Sequence, residues 1–418
     1  MSYPRGITRR EALGGAAALG IGVGLGHVRG SLGGGRGSGS SRPISGAASF
    51  TPVPFHGLHQ AGIATPSQDY LCFGAFDLTA QDAQELRSLL EEWTAAAVAM
   101  TAGQLYQPTP QEEDQPPEDT GEALEAGPSH LTITFGLGPG VFGLPGLFSR
   151  RPAELRPLPA FPGDSLEASR SGGDLCVQAC AEDPQVAFHA IHVLSRLAAG
   201  TAVPRWSQLG FGRTSSTSTS QKTPRNLMGF KDGTANIRAE ESAAMERFVW
   251  VGRGDGTAWM NGGTYLIVRR IRILFDVWDT TTLEGQEQVI GRYKVSGAPL
   301  GERGEFDPID LDATSNGEPL IPANAHIRLA SPQYNEGQRI LRRGYSYSEG
   351  IEAGTGDLDA GLFFVAFQRS PSRQFIPIQR RLASSDALNR TTLHTSSAIF
   401  ACPPGAEPGG FVGEGLFA

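Results

Sequence analysis

One acidic side chain stands in a tightly punctuated stretch, Pro224-Arg225-Asn226-Leu227-Met228-Gly229-Phe230-Lys231-Asp232-Gly233-Thr234-Ala235-Asn236-Ile237. Gly229 and Gly233 flank Phe230-Lys231-Asp232, which lets the backbone enter φ > 0 or approach a flat ligand closely. An acid on such a loop can be aimed by the scaffold beneath it. The same residues also fit a plain Asp-Gly turn carrying an incidental acid. Further along, His326 sits in Ala325-His326-Ile327-Arg328-Leu329-Ala330-Ser331-Pro332, shortly before Ile340-Leu341-Arg342-Arg343-Gly344-Tyr345. An imidazole is a suitable axial donor to haem iron, although taken alone such a residue is more often an ordinary polar side chain.

The other candidates are weaker. His189 and His192 lie three apart on a helical pattern, a spacing that could serve a metal, but no third ligand accompanies them. His56 and His59 belong to an extended segment, Pro54 to Gly62, whose chemistry the residues alone do not indicate, and His130 and His394 lack supporting context. No Cys-x-x-Cys-His is present, which excludes covalent c-type haem attachment. HExxH, P-loop, GxSxG and a GxGxxG with its acidic partner are also missing, which removes the commonest alternative enzyme classes.

The elements that must position these residues are drawn from 418 residues, enough for two domains of ordinary size. The net charge is -8. Six Arg against one Glu in residues 1–47 contribute a local +5, so the remainder carries about -13 and nucleic acid is not an expected partner. Four cysteines are too few for a disulfide scaffold, and Cys176 and Cys180 fall in a strand-like run, which disfavours a metal pair.

Thr8-Arg9-Arg10-Glu11-Ala12-Leu13 followed by an Ala/Gly-rich apolar run to Leu25 reads as a twin-arginine export signal, too short and glycine-rich to span a membrane. A Gly/Ser-rich linker follows, so residues 1–47 stand outside the fold and an extracytoplasmic location is expected. Strands are predicted at 69–78, 131–138, 174–181 and 206–211, with helices from Thr79 to about Ala102 and from Pro184 to Ala199. The acidic, Pro-rich stretch at about 108–128 should be a solvated insertion. The second half repeats the order: strands near 264–275, 340–347, 362–368 and 397–401, with helices at 282–292 and 372–383. Two βαββαβ units imply an α+β fold of two ferredoxin-like domains, 48–213 and 214–418.

Gly229-Phe230-Lys231-Asp232-Gly233-Thr234, His326 and Leu341-Arg342-Arg343-Gly344-Tyr345 together resemble the dye-decolourising peroxidase family, and more closely its exported, deferrochelatase-like subgroup. The resemblance extends through His56–Ile63, Gly173–Gln178, Gly262–Tyr265, Gln286–Arg292 and Ala398–Gly405, and covers nearly everything after about residue 50 except the acidic insertion. It implies a dimeric α+β-barrel-type fold with one non-covalent haem b in the C-terminal half. His326 would be the proximal iron ligand. Asp232 would be the distal proton shuttle, with Arg342 beside it. Gly233, Thr234 and Ala235 would pack on the haem, Ser331, Pro332 and Gln333 would line its pocket, and Asp386 would support the proximal imidazole. Tyr345, Tyr347 or Trp259 could relay electrons to donors too large to enter.

The implied partners are hydrogen peroxide and dyes, phenols or other aromatic donors, and a homo-oligomer is left open. The alternative is a haem-binding, iron-release component serving a ferrous-iron transporter. A carboxylate, ordinarily titrating near ~4, is ready as a base in mild acid, so peroxidase activity should peak below about pH 5.5. A steady-state pH profile with its maximum at or above neutrality would contradict that expectation.

Overall fold

The computed structural model describes residues 50–106, 117 and 119–418. The expected export signal and linker at 1–47, and much of the acidic stretch, lie outside the described residues. The first half runs β1 (Tyr70–Leu78), α1 (Ala83–Thr101), β2 (Thr132–Leu137), β3 (Leu175–Ala181), α2 (Pro184–Leu197) and β4 (Ala202–Arg213). The second half contains α3 (Ser242–Phe248), β5 (Thr264–Ile273), α4 (Phe275–Asp279), α5 (Leu283–Ile290), a short pair β6 (Thr314–Ser315) and β7 (Glu318–Pro319), and α6 (His326–Leu329). It then continues through β8 (Leu341–Arg342), β9 (Tyr345–Ile351), β10 (Leu358–Gln368), α7 (Phe375–Ser385) and β11 (Thr392–Cys402).

Each half builds the same antiparallel sheet: β4-β1-β3-β2 in the first and β11-β5-β10-β9 in the second, with β8 also on β10. The two sheets meet at two seams. β4 pairs with β9 through Phe211↔Ser346 and Arg213↔Tyr345, and β11 pairs with β2 through Ala401↔Leu137. The eight long strands thereby close on themselves, which removes exposed sheet edges. The described residues form one compact unit, so strand order rather than a gap distinguishes the halves.

The alternation of side chains along a strand divides the core in two. Leu71, Phe73, Cys176, Cys180, Leu266, Val268, Phe363, Val365, Phe400 and Cys402 cluster on one face of the strands. Their neighbours Cys72, Phe76, Val177, Ala179, Ile267, Ile399 and Ala401 face the other way, where α1 and α2 contribute Leu86, Leu90, Trp93, Ala190 and Leu194. All four cysteines are unpaired and buried. Burial pushes the Cys72 thiol up to about 12, so these are packing residues rather than nucleophiles.

Three expectations need correction. α1 begins at Ala83 rather than at Thr79, capped by Asp82, which accepts from the N–H groups of Gln84 and Glu85. Thr79 is tied instead to Gly200 and Thr201, and a carboxylate is the better cap. The single strand expected at 340–347 is broken at Arg343-Gly344, where the Thr214 N–H donates to the Gly344 carbonyl and a Cβ on Gly344 would stand 2.8 Å from Thr214 Oγ1. The acidic insertion is not wholly a solvated loop. Glu122 reaches α2, 2.9 Å from His189 Nδ1 and 2.5 Å from His192 Nδ1, while Asp119 accepts from the Tyr106 N–H. The His189/His192 spacing therefore serves to dock this segment.

Candidate active site

The Asp232 loop is held by its own backbone and by one guanidinium. Arg225 and Lys231 form a β-bridge, the Asp232 N–H donates to the Pro224 carbonyl at 3.0 Å, and Arg225 donates to the carbonyls of Gly229, Lys294 and Val295. Gly229 and Gly233 both adopt φ +83. At Gly233 a Cβ would also lie 2.9 Å from Ser215 Cα, so this glycine is required by close backbone packing as well as by the turn. Phe230 anchors the loop, buried with Met228, Ile273, Trp278 and Ile290, its ring 5.9 Å from that of Trp278.

These anchors aim Asp232 at Arg342. Arg342 Nη1 donates to Asp232 Oδ1 at 2.7 Å, and Asn226 Nδ2 donates to Oδ2 at 3.1 Å. Both carboxylate oxygens are thus oriented from within the fold. Arg342 reaches this position because the two-residue period of the chain sends consecutive arginines in opposite directions. Arg343 is fully buried and bonds to the Thr65 carbonyl and to Gln68, while Arg342 stays partly open. Asn236 locks the strand carrying Arg342, accepting from its N–H and donating to its carbonyl, each at 2.8 Å.

His326 opens α6, with Nδ1 2.6 Å from Asp386 Oδ2. Asp386 is almost completely buried; its other oxygen accepts from the Leu388 N–H at 2.9 Å, so it is a fixed acceptor. Burial works against the charged imidazole, but the Asp386 carboxylate outweighs it and raises the His326 pKa above its ordinary value. Arg342 lowers and Asp232 raises the pKa of the same imidazole, so the Asp232–Arg342 pair lies within electrostatic range of His326.

The residues present fit a haem. With Nδ1 donating to Asp386, Nε2 is left as a lone-pair donor of the kind haem iron takes. The imidazole keeps 35% of its side-chain surface accessible, so it is not packed over on every side. The Asp232–Arg342 pair supplies a base and a fixed cation.

Two family models match the chain, the Dyp-type peroxidase N-terminal model over residues 60–212 and the Dyp-type peroxidase C-terminal model over 223–407. The chain belongs to the Dyp-type peroxidase family. The dye-decolorizing peroxidase of Thermobifida fusca is 42% identical over 368 residues, 85% of this chain and 83% of that one. The deferrochelatase of Escherichia coli K12 is 36% identical over 362 residues, 85% and 84% of the two chains. A crystal structure of a DyP-type peroxidase from Streptomyces coelicolor superposes with TM-score 0.81 at 42% identity, covering 87% of this chain and 96% of that one. Dyp-type peroxidases are haem enzymes with two ferredoxin-like halves, and this member is a haem-dependent peroxidase of the same fold.

The structure pairs Asp232 with Arg342 and His326 with Asp386, and gives the other expected residues the following surroundings. Thr234 Oγ1 donates to Glu305, which also pairs with Lys231. Ala235 is exposed. Ser331 donates to the Arg328 carbonyl, and Gln333 is exposed. Tyr345 and Tyr347 are fully buried and burial raises both phenols, whereas Trp259 belongs to the other core cluster and donates to the Arg150 carbonyl. Asn226, Asn236 and Glu305 were not anticipated. Asn226 and Asn236 stand within the loop that drew attention first, but only the fold shows what their amides hold.

Proposed function

We propose that this chain reduces hydrogen peroxide at a haem held by His326, with Asp232 moving the proton, and oxidises dyes, phenols or other aromatic donors by one-electron steps. The observation that carries this reading is the 2.7 Å Asp232–Arg342 contact within electrostatic range of an imidazole whose Nδ1 is engaged by Asp386. When bound, the haem supplies a ferric centre that takes peroxide and holds its oxidising equivalents. Asp232 takes a proton from one peroxide oxygen and returns it to the other as water leaves, which a single carboxylate within reach of both oxygens can do. Arg342 offsets the negative charge that develops as the O–O bond breaks; being permanently protonated, it never competes for the proton. Asn226 keeps the second carboxylate oxygen in place. Asp386 holds His326 in the tautomer that presents Nε2.

The same reading assigns 48–213 and 214–418 as the two ferredoxin-like domains and residues 1–47 as an export signal with its linker. It puts the mature enzyme outside the cytoplasm. Iron release from haem, with a ferrous-iron transporter as client, is the alternative that relatives named deferrochelatase support. The distal carboxylate–guanidinium pair favours the peroxidase, because a carrier needs neither group. Asp232→Ala should lower peroxide-dependent turnover of a phenol at least about a hundredfold while haem content stays unchanged. Retained turnover in that variant would remove Asp232 from the mechanism.

A further inference from the structure

A cleft of about 450 Å³ opens elsewhere on the described surface, between α3, the start of α7 and the segment leading into β8. None of the residues assigned above to peroxide or haem lines it. Its two carboxylates are already engaged. Asp255 pairs with Arg369 at 2.5 Å and accepts from the Gly252 N–H, and Glu154 accepts from Ser370 and Ser372. Two further guanidiniums line the cleft, Arg247 and Arg373. Both residues are exposed and neither makes an ion pair within 4 Å among the described residues, while Arg373 acts on Asp255 at longer range. Arg247 lies over the ring of Phe248, 4.9 Å from its centroid. The lining as a whole sets three guanidiniums against two carboxylates, a net charge of +1 in a concave site on a chain of net charge -8.

The cleft wall is coupled to the distal residues. Gln374 Nε2 donates to the carbonyls of Phe248 and Arg339, and Arg339 donates to the carbonyl of Asn236, the residue that locks Arg342. Gln338, on the cleft, is four residues from Arg342, which bounds their separation at about 14 Å of extended chain.

We propose that this cleft docks the electron donor when that donor is a small aromatic anion, an aryl sulfonate or aryl carboxylate. The volume suits one or two rings rather than a polypeptide. Planar guanidiniums match the oxygens of either head group and stack on the aromatic body. The donor role rests on the peroxidase reading; the anion site itself does not. Two phenolic anions each lose one electron and one proton, peroxide takes up both electrons and both protons, and two waters form.

The test uses haem-loaded enzyme and an Arg247→Gln/Arg373→Gln variant. Calorimetric titration with para-hydroxybenzenesulfonate and para-hydroxybenzoate, without peroxide, should show binding that weakens at least about tenfold in the variant. With peroxide, the ratio of kcat/KM for para-hydroxybenzenesulfonate to that for neutral para-methoxyphenol should fall by a similar factor. Comparing the two anions shows which head group the site prefers. Unchanged anion affinity in a variant with a normal haem spectrum overturns the site, even if phenols are oxidised and the peroxidase reading stands. Arginine-dependent anion binding without oxidation of any donor leaves the anion site standing and overturns both its donor role and the peroxidase reading.

Discussion

Asp232 and Asp386 both act on the His326 imidazole, yet their surroundings assign them different work. Asp386 is closed off, with one oxygen given to His326 and the other to the Leu388 N–H, so it can only orient. Asp232 is held at both oxygens but stays partly open, so it can meet an incoming molecule. Removing the orienting charge should weaken the site without removing it. Asp386→Asn is expected to lower haem affinity about ten- to a hundredfold, measured by haem transfer to apomyoglobin; unchanged transfer kinetics would deny Asp386 that role. The aspartate pair also shows how residues were read. Asp232 was legible because glycines frame it and a family pattern contains it. Asn226 and Asn236 were not, because an amide's value lies in which carboxylate or backbone group it meets across the fold.

At the scale of elements, the order of strands and helices was readable from period-2 and helical patterns, including Asp174–Ala181 and the Pro184 helix, which β3 and α2 match. The misreadings came where tertiary contacts override local signals. The Arg343-Gly344 break depends on Thr214, more than a hundred residues away, and the docking of Glu122 depends on histidines of α2. That docking has a pH signature. Burial raises the Glu122 carboxyl, but hydrogen bonds from His189, Thr120 and His192 outweigh it and bring its pKa from 4.5 down to about 2. A group depressed on folding contributes stability above its unfolded pKa and loses it as pH falls through the folded value. With Glu122 about a quarter exposed, the contribution should be about 1–2 kcal/mol. Glu122→Gln is therefore expected to lower Tm by roughly 1–3 degrees at pH 7. The gap from wild type should close as pH falls from about 4.5 toward 2, and a gap constant with pH would show that Glu122 acts through packing alone.

Across the whole molecule, two sheets of one design close into a single barrel, and the seams carry the coupling between halves. Arg343 is the clearest tie: it leaves the second half and bonds to Thr65 and Gln68 of the first, from a fully buried position beside Arg342. Arg343→Ala would orphan those acceptors and is expected to cost about 2–4 kcal/mol, seen in denaturant unfolding, and to disturb Arg342 with it. Unchanged stability would mean the halves are held by the apolar interior alone. Duplication was legible as a repeated order of elements, but closure was not, because the Phe211↔Ser346 and Ala401↔Leu137 pairings leave no local mark on either strand.

The central claim is that Asp232 moves the proton that peroxide cleavage requires, at a haem held by His326. Rapid mixing of haem-loaded wild type and Asp232→Ala with one equivalent of peroxide, followed by absorption, tests it most directly. Wild type should change its haem spectrum within a single turnover and recover it on adding a phenol. Asp232→Ala should start from the same resting haem spectrum and change at least about a hundredfold more slowly. Equal rates in the two proteins would contradict the account.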